Sequence, residues 1–300
     1  MNSHRSIEFR SLVLAPFLTI ILLLVFPPEG RSQVLWSVQG PEGQQNWLLG
    51  TVHSEDARLL DFPPELLDAL ARSRRLALEL VPDMAMMETL SQAMHFPEPR
   101  LHQVLEEDLY QALVEILDQH YGMGEPAVRM LRPWAAAMTI SIPPPQTGLF
   151  MDLALAVRAR SLGLEVLALE RLEEQLEFLA GMPESMQMDL LRQAVADFPR
   201  QGELFEELMQ TYLSGDLDRL EAVAHEQMSD LDPELRDHFE QIGMIRRNHT
   251  MVERALPLLE QGGLMIAVGA LHLPGTDGLI SLLREAGFKL EPVATSIPNS

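Results

Sequence analysis

The sequence predicts an α/β fold, a mixed central sheet flanked by helices and carrying a large helical insertion. Three observations carry that expectation. Short apolar runs such as Trp47-Leu48-Leu49 and Leu264-Met265-Ile266-Ala267-Val268 are bounded by glycine, which is the pattern of buried strands leaving a sheet. Stretches with apolar residues at helical spacing lie between these runs. One of them, residues 173–260, is helical by period along almost all its length and contains no strand pattern.

The chain begins differently. Arg5 and Arg10 precede an apolar run over residues 12–26, which Pro27-Pro28-Glu29-Gly30 breaks. A charged start, an apolar middle and a polar break form the pattern of a secretory signal, and the same run is long enough to stay as a membrane anchor. Residues 1–32 are therefore expected to be a signal peptide or an N-terminal anchor. Residues 33–295 are expected as the folded domain, outside the cytoplasm and either periplasmic or extracellular.

Residues 34–38 and 47–49 flank a polar turn, Gly40-Pro41-Glu42-Gly43-Gln44-Gln45, and predict a hairpin. Pro63-Pro64 opens a short helix over residues 65–73, because proline is tolerated in a first turn. Residues 75–81 read as a strand with one carboxylate, Glu79, which must lie at the strand's mouth or be buried with a partner. Helices are expected over residues 84–141, ended by Ile142-Pro143-Pro144-Pro145, and again over residues 152–163. Residues 164–169 form the next strand, and Glu170 follows at once. In the long insertion, expected as a subdomain over the sheet, Asp216 and Asp232 suit helix N-caps. A strand over 264–268, a helix over 277–286 and a strand over 288–293 close the chain.

Two of these strands end in the same way. Gly50-Thr51-Val52-His53 follows Trp47-Leu48-Leu49, and Gly269-Ala270-Leu271-His272 follows Val268. Glycine there lets the backbone turn or approach another group closely. The histidine then arrives at the carboxyl end of a strand, where open α/β sheets place their ligands. Glu79 and Glu170 arrive in the same setting, so the four are expected to meet in one site. Two histidines with carboxylates can bind a divalent metal and leave a position for water, while a remaining carboxylate serves as general base. Each residue alone has a plainer explanation, a hydrogen-bonded core histidine or a glutamate paired near a helix start. Four in similar settings argue for a joint site. In Arg246-Arg247-Asn248-His249, Arg247 is either part of a solvated basic spot or reaches in to hold a carboxylate or an oxyanion.

Other chemistries lack support. The chain has no cysteine, so any metal ligand must be histidine, a carboxylate or backbone oxygen. A net charge of -22 repels nucleic acid, and no basic patch offsets it. There is no Gly-x-Ser-x-Gly elbow, phosphate loop or dinucleotide fingerprint. His95, His102, His120, His225 and His238 lie in helical stretches without His-x-x-x-His spacing and are expected at the surface. Met182, Met186 and Met188 are expected as core filler rather than copper ligands.

With these residues in place, the chain resembles the TraB/PrgY/GumN family, relatives of the Tiki-type metalloproteases that inactivate Wnt by proteolysis. The matching pieces are Leu49-Gly50-Thr51-Val52-His53, Leu78-Glu79, Leu169-Glu170 with Glu173-Glu174-Gln175-Leu176, and Arg247-Asn248. Val268-Gly269-Ala270-Leu271-His272-Leu273-Pro274-Gly275 and Leu282-Leu283-Arg284-Glu285-Ala286-Gly287-Phe288 complete them, so the likeness covers residues 34–294. The resemblance implies a metal-dependent protease whose site comprises His53, His272, Glu79 and Glu170. Ser54-Glu55-Asp56 is more acidic than the common form, which bears on the substrate mouth rather than on these four.

The expected function is therefore exported, metal-dependent hydrolysis of a peptide or protein substrate. His53 and His272 hold a divalent ion, manganese, cobalt or zinc. Glu79 and Glu170 divide the roles of ligand and base, and Arg247 steadies substrate or developing charge. The alternatives are a non-catalytic periplasmic protein that binds a peptide or a metal, and an anchored scaffold.

Overall fold

The computed structural model describes residues 34–295. The leader expected over residues 1–32 lies outside them. Six strands form one sheet: β1 (Leu35–Gln39), β2 (Gln45–Thr51), β3 (Arg75–Leu78), β4 (Glu165–Ala168), β5 (Leu264–Gly269) and β6 (Lys289–Pro292), in the order β4-β3-β5-β2-β1-β6. The first four in that order run parallel, whereas β1 is antiparallel to both β2 and β6. The sheet is mixed, as the sequence predicts.

Parallel pairing has one decisive consequence. The carboxyl ends of β2, β3, β4 and β5 all open on the same edge of the sheet, so every candidate residue from the strand ends arrives on that edge. β5 lies between β3 and β2 and is buried from Leu264 through Val268, as expected for a continuous apolar run in a covered parallel sheet. The β2–β5 register sets Gly50 beside Val268 and Thr51 beside Gly269, so the two Gly-x-x-His motifs leave the sheet side by side.

Helices Pro64–Ala71, Met151–Ser161, Arg247–Leu259 and Leu279–Glu285 cover the sheet and bury their apolar stripes in its core. In Arg247–Leu259 the buried stripe is Asn248, Met251, Val252, Ala255 and Leu259, a helical repeat with one polar member. Asp216 and Asp232 cap their helices by accepting from the backbone N–H of Arg219 and of Glu234.

The long insertion does not form a subdomain by itself. Its helices Gln201–Ser214 and Leu217–Gln227 send Met209, Tyr212, Leu217 and Leu220 into the sheet core. Its helix Glu184–Asp197 instead sends Leu190 and Leu191 into a second, all-helical core with Leu113, Leu117 and Trp134 from the earlier helical block. The insertion's apolar stripes face two partners, so two regions of the chain build the second core together. Met182, Met186 and Met188 pack in or against that core, as expected of filler. Among the other histidines, His120 and His225 are exposed, but His95, His102 and His238 are half-buried. The His238 ring is held by Nε2 lying 2.8 Å from the Phe178 carbonyl. No helix among the described residues is long and apolar enough to cross a membrane.

Candidate functional site

The strand expected over residues 75–81 stops at Leu78, which puts Glu79 at its mouth. β4 stops at Ala168, and the Glu170 N–H donates to the Glu79 carbonyl at 2.9 Å, so the two glutamates leave neighbouring strands together. Between their carboxylates lies Arg247. Its Nε donates to Glu170 Oε1 at 2.8 Å, and its Nη2 donates to Glu170 Oε2 at 2.6 Å and to Glu79 Oε2 at 2.7 Å. Gln175 Nε2 adds a bond to Glu170 Oε2 at 3.1 Å. The Glu170 side chain is 1% exposed and both its oxygens are engaged. That bidentate geometry is the one guanidinium matches and ammonium does not. Burial opposes the Arg247 charge, but the hydrogen bonds and charges of the two carboxylates outweigh it and hold the guanidinium firmly protonated.

Glu79 is placed differently, with a quarter of its side chain exposed. Its Oε1 accepts from the Gly269 N–H at 2.7 Å and lies 3.7 Å from His272 Nε2. A Cβ added at Gly269 would sit 3.3 Å from that oxygen, so glycine here leaves the carboxylate room to reach the backbone. Burial raises the Glu79 carboxyl's pKa, but His272, Arg247 and the Gly269 N–H together pull it below the usual carboxylate range.

His272 ends the short 3₁₀ turn Ala270–His272 and is buried. Its Nδ1 lies 2.6 Å from Asn248 Oδ1, while Asn248 Nδ2 donates to the Asp277 carbonyl at 2.8 Å. That second bond fixes which end of the amide is oxygen, so Nδ1 carries a ring proton and Nε2, which faces Glu79, is the nitrogen that carries the lone pair when the ring is neutral. Burial keeps the ring's pKa below the ordinary histidine value despite the Glu79 carboxylate.

His53 is not drawn into this cluster. Its side chain is 67% exposed, its ring stacks on Phe150 at 4.1 Å between centroids, and its Nδ1 lies 3.6 Å from Asp152 Oδ2. Asp152 in turn accepts from Thr51 Oγ1 at 2.7 Å, within the first motif. The Phe150 segment is tied down by Glu55, whose carboxylate accepts from the N–H groups of Gln146, Thr147 and Gly148 and from Thr147 Oγ1. The acidic departure at Glu55 thus holds a loop. Where the motifs leave the sheet they touch: a Cβ on Gly50 would lie 3.0 Å from both Cα and Cβ of Ala270.

The structure therefore brings Glu79, Glu170, Arg247 and His272 together and leaves His53 at the edge of the same mouth. Among the described residues, no group of three or more histidine and carboxylate side chains is gathered as a metal-binding set. The donor chemistry present is the His272 Nε2 lone pair beside Glu79 Oε1, with Asp152 and His53 supplying further nitrogen and oxygen at the same edge. Two carboxylates there share one guanidinium and Asp152 adds a third at the same edge, an excess of negative charge that suits a cation.

Thr51, Gln175 and Asn248 stand within the motif pieces read from sequence but without a role of their own, and Asp152 is read there only as the start of a helix. Asn248 had a signal, as the one polar member of an apolar helical stripe. Arg254 had another, seven residues after Arg247 and so on the same helix face. It donates to the Leu169 carbonyl at 2.8 Å and to both oxygens of Glu174, bracing the segment that carries Glu170.

The model of the TraB/PrgY/gumN family matches residues 34–292, nearly all of the described chain. The chain belongs to this family. As a TraB/PrgY/gumN member it is 27% identical to the Metalloprotease TIKI2 of Danio rerio, over 88% of this chain and 61% of that protein. It thus spans about six-tenths of that relative's length. No solved structure matches it.

Proposed function

We propose that this family member is an exported, metal-dependent hydrolase acting on a peptide bond, with its site at the shared mouth of β2, β3, β4 and β5. One observation carries the reading: His272 has its Nδ1 committed to Asn248 and turns a free Nε2 toward Glu79 Oε1 at 3.7 Å. A buried, amide-oriented imidazole beside a partly exposed carboxylate is how proteins prepare a metal ligand pair. The distant likeness to a protein named as a metalloprotease agrees with it.

In this reading His272 and Glu79 hold the ion, manganese, cobalt or zinc, with His53 and Asp152 as the donors from the first motif. A divalent ion supplies positive charge that polarises a scissile carbonyl. Glu170 has both oxygens bound, so it positions Arg247 rather than taking a proton. Arg247 in turn fixes Glu79 and offers the nearest protein cation to negative charge developing on substrate. Asn248 keeps His272 in the tautomer that ligation needs. The peptide or protein substrate and the export by the leader complete the proposal; N-terminal sequencing of the mature protein tests whether that leader is removed or kept as an anchor.

The test is metal titration by calorimetry on the wild type, His53→Ala and His272→Ala. Binding near one equivalent, abolished by either substitution, supports the shared site and justifies a peptide-library cleavage screen with each metal. Absence of binding, or binding that survives either substitution, overturns it. One observation favours a second reading, a non-catalytic binder of peptide or metal: Arg247 already engages both glutamates, leaving neither as a free base. Glu79→Gln separates the two, since a binder has no turnover to lose.

A further inference from the structure

A cleft of about 560 Å³ opens beside this site, within the range of built ligand pockets, about 300–1,000 Å³. It follows the seam between the two cores. Phe205 and Leu208 on one wall pack against the sheet core, and Phe198, Leu231 and Phe239 on the other pack against the helical core. Its floor includes Leu271 and Pro274, which flank His272, and Asn248, which holds the His272 ring.

The polar residues of its lining have a sign. Asp197, Glu221, Glu240 and Asp277 supply four carboxylates against a single arginine, Arg236. Glu221 and Glu240 have no ion-pair partner among the described residues, and the chain as a whole carries a net charge of -22. Apolar walls under an acidic rim would repel a fatty acid or an anionic lipid. They suit a chain that alternates bulky apolar side chains with cations.

We propose that this cleft binds a peptide segment with large apolar side chains flanked by lysine or arginine, as the specificity subsite of the proposed hydrolase. The apolar side chains sit between the two cores, and the cations meet Glu221 and Glu240. The occupant lies against Leu271, Pro274 and Asn248, the last being the residue that holds the ring at the second Gly-x-x-His. The inference rests on the proposed function for its link to turnover, but the binding it describes requires neither metal nor catalysis.

The test is fluorescence anisotropy of the metal-free mature protein with a labelled peptide of alternating leucine, phenylalanine and lysine, beside the same peptide with glutamate in place of lysine. Glu221→Lys with Glu240→Lys is expected to weaken the cationic peptide about tenfold. Ala194→Trp, which fills the cleft from a partly exposed position, is expected to weaken it by a similar factor. Glu260→Lys with Glu285→Lys makes the same change in net charge outside the cleft and is expected to leave affinity within about twofold. The subsite is overturned if both peptides bind alike, if the filled cleft binds as well as the wild type, or if the outside pair weakens binding as much as the rim pair. Loss of metal binding with peptide binding intact would sink the hydrolase and spare the cleft; the reverse would sink the cleft alone.

Discussion

Arg247→Met is the substitution whose consequence the geometry fixes best. The methionine keeps much of the aliphatic bulk and removes three short hydrogen bonds, two to Glu170 and one to Glu79. Glu79 is a quarter exposed and can turn to water, but Glu170 is 1% exposed and would keep only the Gln175 amide. Breaking a buried ion pair by removing one partner costs about 3–5 kcal/mol, most of it the stranded charge. In a domain of this size 1 kcal/mol moves the melting temperature by about 2–4 °C, so a fall of roughly 6–20 °C is expected at neutral pH. Removing the stranded charge as well should restore stability, because replacing both members of such a pair is often close to neutral. Arg247→Met with Glu170→Gln is therefore expected to recover more than half of the loss. Urea and thermal unfolding followed by circular dichroism measure all three. A cost below about 1 kcal/mol, or a double variant no more stable than the single one, would refute the account, because only a stranded charge predicts rescue.

Four further outcomes are expected. Asn248→Ala frees His272 Nδ1 and should lower metal affinity about 10–100-fold by calorimetry, the usual effect of losing a ligand's orienting partner. Gly50→Ala forces a methyl to 3.0 Å from Ala270 where the motifs touch, and should cost about 1–3 kcal/mol in thermal unfolding. Hydrogen bonds from Arg254, aided by Arg171, hold the Glu174 carboxyl far below its usual range, so its stabilisation is complete above the unfolded carboxylate pKa and is lost as pH falls toward the folded one. Glu174→Gln should then be less stable than the wild type at neutral pH, with the gap closing in strongly acidic buffer. Glu55→Ala removes the acceptor for three loop N–H groups, and hydrogen exchange at Gln146, Thr147 and Gly148 should accelerate; unchanged protection there would show that Glu55 is not what holds the loop.

What could be read from sequence followed from periodicity and glycine. Each of the four parallel strands was legible as an apolar run leading to a glycine or a glutamate, and parallel pairing brings such ends to one edge whatever the strand order. That is why Glu79, Glu170 and His272 could be expected on one edge, where they lie together. The distance of His53 from the others could not be read, because two residues beyond the last pairing at Thr51 the chain leaves the sheet's control and the ring comes to rest on Phe150. The insertion was legible as helices but not as two halves, since a helical repeat shows that a face is apolar without saying which core it meets. The roles of Gln175 and Asp152 stayed hidden for the same reason: they depend on contacts through space, and their letters are ordinary for the helices that carry them.

The helix Arg247–Leu259 explains how strand ends so far apart in sequence become one site. Neighbouring residues on a helix point about 100° apart, so Arg247 and Asn248 address different directions from a single turn. One grips the glutamates that follow β3 and β4, and the other grips the histidine that follows β5. The helix is seated by Met251, Val252, Ala255 and Leu259 in the sheet core, and its first turn is led in by a π-helical segment, Phe239–Arg246. Such wide turns are strained and concentrate at functional sites. Here the Gly243 carbonyl accepts from Arg247 Nη1 at 3.3 Å, and Gly243 packs so closely on Phe178 that a Cβ would lie 2.9 Å from the ring. The π turn therefore sets the rotation at which the helix presents Arg247 and Asn248. A shift of that helix would loosen its hold on the carboxylate pair and on the imidazole at once.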